Sequence, residues 1–87
     1  MSYRVEITPQ AARQIRSLPR DILKRIDAAI LSLAENPRPA NCLKLQDSDN
    51  AWRVRVGDYR VIYEIEDGVL RVVVIRVDHR STVYRPR

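Results

Sequence analysis

Two dipeptides, Gly57-Asp58 and Asp67-Gly68, separate three runs of alternating apolar and polar residues within 51–77, AWRVRVGDYRVIYEIEDGVLRVVVIRV. A glycine-containing two-residue link between such runs is the strongest short-range hairpin signal, because the turns that match strand twist need positive φ. The stretch is therefore predicted to form three consecutive antiparallel strands. With two-residue turns the register follows by counting. Val56 faces Tyr59, Arg55 faces Arg60, Val54 faces Val61, Arg53 faces Ile62 and Trp52 faces Tyr63. In the second hairpin Glu66 meets Val69, Glu64 meets Arg71, Ile62 meets Val73 and Arg60 meets Ile75.

Side chains alternate across a strand, so the count separates two faces. Trp52, Val54, Val56, Tyr59, Val61, Tyr63, Ile65, Leu70, Val72 and Val74 share one, a core surface. Arg53, Arg55, Arg60, Arg71 and Glu64 share the other, around an apolar floor of Ile62, Val73 and Ile75. Glu64 opposite Arg71 is a stabilising pair, but Arg55 opposite Arg60 is the reverse, since like charges directly opposed on a sheet repel. Local rules fail most often at functional sites. A bound polyanion is the simplest compensation, so the arginine face is the candidate active surface.

Upstream, Tyr3, Val5 and Ile7 alternate with Ser2, Arg4 and Glu6, the pattern of a half-buried strand over 2–7. Thr8-Pro9 then supplies a helix cap and a first-turn proline. A first helix over about 9–17 carries Ala11, Ala12, Ile15 and Leu18 on one side. A second, over about 20–35, carries Ile22, Leu23, Ile26, Ala29, Ile30 and Leu33 in one stripe, and Asn36-Pro37 stops it. Residues 37–50 read as a loop with a short strand near Leu43–Leu45. The whole is one α+β domain over 1–87: two layers, with a helical hairpin packed on one face of a four- to five-stranded, mainly antiparallel sheet, in the order β-α-α-(β)-β-β-β. An antiparallel sheet tolerates one wet face, as the arginine face requires.

Composition limits the chemistry. The 87 residues carry a net charge of +5 and a pI near 10.0, which favours an anionic partner. All but two of the sixteen cations are arginines, whose planar donor fork matches phosphate oxygens. One histidine and one cysteine cannot supply a zinc site, and Cys42, with no base beside it, reads as an inert thiol. No metal and no cofactor is expected. No apolar run reaches the roughly 20 residues of a membrane span, and MSYRVEITPQ lacks the apolar core of an export signal. The expected location is the cytoplasm. After Val77 the chain turns polar and brings His79, Arg80 and Tyr84 to one edge of the sheet, on a side that counting does not fix.

The topology, the WRVRVGDYRVIYEI block, the DG hairpin and the ending IRVDHRSTVYR together resemble the RelE/ParE superfamily of toxins from toxin–antitoxin pairs, its RelE branch above all. The resemblance spans essentially the whole chain. It implies a ribosome-dependent endoribonuclease, an mRNA interferase that cuts messenger in the ribosomal A site. It also implies an acidic, RelB-like antitoxin as cognate partner, with operator DNA met only through the antitoxin complex. The ParE branch implies an alternative, inhibition of DNA gyrase by protein binding without nuclease chemistry.

Carried over residue by residue, the RelE site falls on Arg53 and Arg55, on Arg60 in G-x-YR, on Arg80 and on Tyr84. Arg55, Arg60, Arg80 and Tyr84 are the expected catalytic set, with Arg53 and Arg71 as RNA contacts. The family's best-known members have lysines where this chain has Arg53 and Arg55. Attack by a ribose 2′-OH needs a proton acceptor, stabilisation of a charged phosphorane and protonation of the leaving oxygen. Arginine suits the second task and not the first, because it stays protonated. His79, of the residue type that titrates near neutrality, is therefore added as a candidate proton carrier, with Tyr84, the RNA phosphate or a ribosomal group as alternatives.

Overall fold

The computed structural model describes residues 2–46 and 48–80. It contains β1 (Arg4–Ile7), α1 (Pro9–Arg16), α2 (Arg20–Ser32), β2 (Cys42–Lys44), β3 (Ala51–Val56), β4 (Tyr59–Glu66) and β5 (Arg71–His79). The strands form one sheet in the order β1-β5-β4-β3-β2. β1 runs parallel to β5, and the other neighbours are antiparallel.

Helix α1 starts where Thr8 stops being extended: its Oγ1 accepts the Ala11 N–H at 3.2 Å, and Pro9 occupies the first turn. Thr8 also ties the helix to the sheet, donating through Oγ1 to the Ile75 carbonyl and through N–H to Val74. β1 pairs β5 only as far as Val74; beyond it, Gln14 Oε1 of α1 accepts the Val77 N–H at 2.7 Å. The helix thus satisfies backbone groups on β5 that a bare sheet edge would leave open. α2 has no side-chain cap, and Pro19 stands at its N-cap position with Asp21 in the first turn. It ends at Ser32, three residues earlier than the periodicity predicts, and Asn36 bonds back to the Ser32 carbonyl.

The helices cover the apolar face of the sheet, as the stripe on α2 requires. Ala11, Ile15, Ile26, Ile30 and Leu33 pack on Val54, Val61, Tyr63, Ile65, Val72, Val74 and Val77. Val61, Tyr63, Val72 and Val74 are wholly buried, and each such side chain contributes about 1.5–3 kcal/mol over an exposed one. The Tyr63 hydroxyl meets the requirement for a partner by donating to the Pro37 carbonyl at 2.7 Å. Burial, its largest cause, pushes the phenol well above its ordinary range.

The first hairpin has the register that counting gives, from Val56 opposite Tyr59 to Trp52 opposite Tyr63. The second does not. Asp67-Gly68 is no two-residue turn: Asp67–Val69 form a 3-10 turn and Leu70 adopts φ 52°, so Glu66 faces Arg71 and Glu64 faces Val73. That shift of two positions preserves the faces but removes the expected Glu64–Arg71 pair and takes Leu70 out of the core strand. A bulge follows opposite Ile62 and Tyr63, where Tyr63 pairs with Val74 and Ile62 with Arg76. Ile75 is the inserted residue and does not join the open-face floor, and beyond it the faces of β5 exchange. Arg60 consequently lies opposite Asp78, not Ile75.

Candidate nucleic-acid interface on the open face of the sheet

The first hairpin places Arg53 and Arg55 on β3 and Arg60 on β4, all on the side away from the helices. Together with Asn41 and Leu43 they line a cleft of about 190 Å3. Arg60 forms its floor at 7% exposure, whereas Arg55 is exposed. Arg55 is held against the turn: its Nε donates to the Gly57 carbonyl at 3.1 Å, and its own carbonyl accepts Asn41 Nδ2 at 3.3 Å. Arg53 has no carboxylate partner among the described residues. The opposition of Arg55 and Arg60 is real, but the bulge brings Asp78 to the other flank of Arg60. That carboxylate is engaged by Arg76, whose Nε approaches it at 2.8 Å.

Arg80 reaches the same end of the sheet. Its N–H donates to the Asp58 carbonyl at 2.8 Å, and its Nε lies 3.8 Å from Asp58 Oδ1. Arg25 of α2 also arrives there, unforeseen from the sequence: a Cβ on Gly57 would sit 3.4 Å from both of its terminal nitrogens. Gly57 has φ +60°, a left-handed conformation that glycine adopts without strain. Three arginines from α2, β3 and the end of β5 therefore converge on a two-residue turn bearing one carboxylate. Asn41 was missed as well, since a lone asparagine in a loop carries no periodic signal.

Two expected residues lie elsewhere. His79 faces Tyr59 in register and meets its ring edge-on at 5.0 Å between centroids. Tyr59 packs against the core, so His79 shares the helix-facing side and not that of Arg60. Arg71 stands at the start of β5, about 20 Å from Asp78 at roughly 3.3 Å per residue. It is bound there to Glu66, with Glu6 at 3.8 Å, and Glu66 raises its affinity for its proton. Tyr84 lies outside the described residues.

With this geometry in hand, the comparison with known proteins is informative. A family model described as the ParE toxin of type II toxin–antitoxin systems matches residues 5–84. The chain belongs to this toxin family. Within it the chain is RelE-like. It is 37% identical to Toxin RelE of Mycobacterium tuberculosis over 95% of this chain and 87% of that one. It is 34% identical to Toxin RelG of the same organism over 98% and 99%. The fold superposes on RelE in the archaeal RelE–RelB complex from Pyrococcus horikoshii with a TM-score of 0.83, at 29% identity over 92% of this chain and 97% of that one. A RelE-like toxin thus presents arginine-rich strands on the one sheet face its helices leave open. Among the described residues, no helix is long and apolar enough to cross a membrane.

Proposed function

We propose that this RelE-like toxin is a ribosome-dependent endoribonuclease that inhibits translation by cutting messenger RNA. The observation that carries the reading is the cleft bounded by Arg53, Arg55 and Arg60, with Arg80 beside it on the Asp58 turn. Guanidinium groups held by a turn and a strand are preorganised donors for a phosphate whose charge grows in the transition state. Arg55, Arg60 and Arg80 stabilise the phosphorane formed by 2′-OH attack, and Arg53 holds the neighbouring backbone. Arg71, paired with Glu66 and Glu6, serves the fold and touches RNA only at the far end of the sheet.

The proton carrier is assigned to Tyr84 or to the RNA phosphate ahead of His79, whose ring packs on Tyr59. The partners are messenger and ribosome, in the cytoplasm. A RelB-like acidic antitoxin restrains the toxin, as RelB is bound to RelE in the Pyrococcus complex, and operator DNA is met through that assembly.

A second reading is favoured by the family model itself, which is that of ParE: inhibition of DNA gyrase by protein binding. Purified toxin added to a translation extract, with the messenger ends mapped beside a gyrase supercoiling assay, separates the two. Codon-phased cuts that disappear in Arg55→Ala and Arg80→Ala support the nuclease. Intact messenger with inhibited gyrase overturns it.

A further inference from the structure

Beside the arginine cleft lies a second concavity of about 690 Å3, and Leu43 and Arg53 line both. Its volume falls inside the range of about 300–1,000 Å3 typical of small-ligand sites. Leu43 and Leu45 give it an apolar wall, Arg53 brings positive charge, and Gln46 offers a side-chain amide, while Lys44, opposite Trp52 in register, borders it from the helix-facing side. Neither Lys44 nor Arg53 has a carboxylate partner among the described residues. Arg76 also lines the concavity, but its charge is met by Asp78.

The far wall is braced rather than loose. Leu45 donates to the Ala51 carbonyl at 2.9 Å, and Ser48 Oγ accepts the N–H groups of Asn50 and Ala51. Ser48 is thereby occupied, and Gln46 supplies the polar edge. The combination is an apolar surface, one amide with both donor and acceptor, and, on the side nearest the arginine cleft, Arg53 with no carboxylate partner among the described residues. Single-stranded RNA presents the complementary set: an unstacked base with a hydrogen-bonding edge, joined to a phosphate.

We propose that this second cleft is a nucleotide subsite, holding the ribonucleotide next to the one cut. Its base lies against Leu43 and Leu45 with its edge toward Gln46, and its phosphate is shared with Arg53. The proposal rests on the arginine face being an RNA-binding surface, and Arg53 becomes the residue that sets the spacing between consecutive phosphates. Gln46 then contributes to which base is preferred, in addition to whatever the ribosome selects.

The test is binding, read separately from cleavage. Fluorescence anisotropy follows the full-length protein with a labelled hexaribonucleotide, 2′-O-methylated so that no attack is possible. The same strand is also made lacking one base, position by position. For the wild type, loss of the base at one position weakens binding about tenfold, the effect of returning about 55 Å2 of apolar surface to water, while loss at the remaining positions has much smaller effects. In Gln46→Ala that penalty shrinks, whereas Arg55→Ala weakens intact and abasic strands alike and leaves the penalty in place. Equal binding of every abasic strand, or a penalty that Gln46→Ala does not alter, overturns the subsite. So does a Gln46→Trp variant, with the cleft filled, that binds RNA normally but loses affinity for the antitoxin, which would assign the cleft to a protein partner. Cleavage in the translation extract is scored independently: a protein that discriminates abasic strands yet never cuts keeps the subsite and loses the nuclease.

Discussion

The two ends of the sheet use the same residue for opposite purposes. At the β4–β5 turn, Arg38 grips Asp67 with two nitrogens at 3.2 and 2.8 Å, lies over the Trp52 ring at 5.1 Å, and shares Asp67 with the Tyr3 hydroxyl. Nearby, Arg71 is bound to Glu66 and approaches Glu6. Every guanidinium there has a carboxylate. At the Gly57-Asp58 end, Arg25, Arg55 and Arg80 converge on the turn, Arg53 and Arg60 line the adjoining cleft, and the carboxylates nearby are Asp58 and Asp78, the latter paired with Arg76. A fold that matches charge at one end could match it at the other. Among the described residues Arg25, Arg53 and Arg55 have no carboxylate partner, and these guanidinium groups are what a polyanion would complete.

The largest effect should therefore separate the two ends. Under the nuclease reading, Arg55→Ala or Arg80→Ala lowers the cleavage rate by about 10^2–10^3, the usual cost of removing one preorganised donor from a transition state. Both side chains are exposed, so the melting temperature should hold. Arg71→Ala should do the reverse, lowering the melting temperature while leaving the rate unchanged. Rate measurements in a programmed translation extract, beside thermal melts, decide it. A rate lost equally from both ends would dissolve the distinction.

Next in size is Tyr63→Phe. It removes the hydrogen bond to the buried Pro37 carbonyl, at a cost of about 1–3 kcal/mol for a stranded acceptor, measurable by urea denaturation. Gly57→Ala acts at the other end and should cost about 1–2 kcal/mol for positive φ, its Cβ making only ordinary contact with the Arg25 guanidinium. Because that turn carries the contacts of Arg55 and Arg80, Gly57→Ala should depress cleavage beyond its effect on stability. Tyr63→Phe should leave any cleavage by the folded protein unchanged.

How much of this was legible in the sequence follows the same division. Around Gly57-Asp58 the link is two residues long, so every pair of the first hairpin could be counted, and with them the shared face of Arg53, Arg55 and Arg60. Asp67-Gly68 offers the same dipeptide chemistry, yet Leu70 takes the left-handed conformation and the turn lengthens to 3-10. The bulge at Ile75 then depends on tertiary demands: Thr8 and Gln14 of the α1 segment bond β5 at Ile75 and Val77, contacts that no local pattern encodes. The misplacement of Ile75 follows from that one insertion. So does the arrival of Asp78 beside Arg60. The approach of Arg25 to the turn was equally invisible, since it joins a helix to a hairpin tip some thirty positions away.

The smallest effect tests the matched end by pH. Arg38 first, and the Tyr3 hydroxyl second, hold the Asp67 carboxyl down from its ordinary value of 3.8 to about 2. In acid the unfolded chain takes up a proton at Asp67 near pH 4, which the folded chain refuses until about pH 2. The stability supplied by the ionised carboxylate is therefore complete above pH 4 and is lost as the pH falls toward 2. Asp67 is exposed, so screening keeps the contribution small, and salt should reduce it further. Urea denaturation of the wild type and Asp67→Asn should show a gap that is constant above about pH 4.5 and closes by about pH 2.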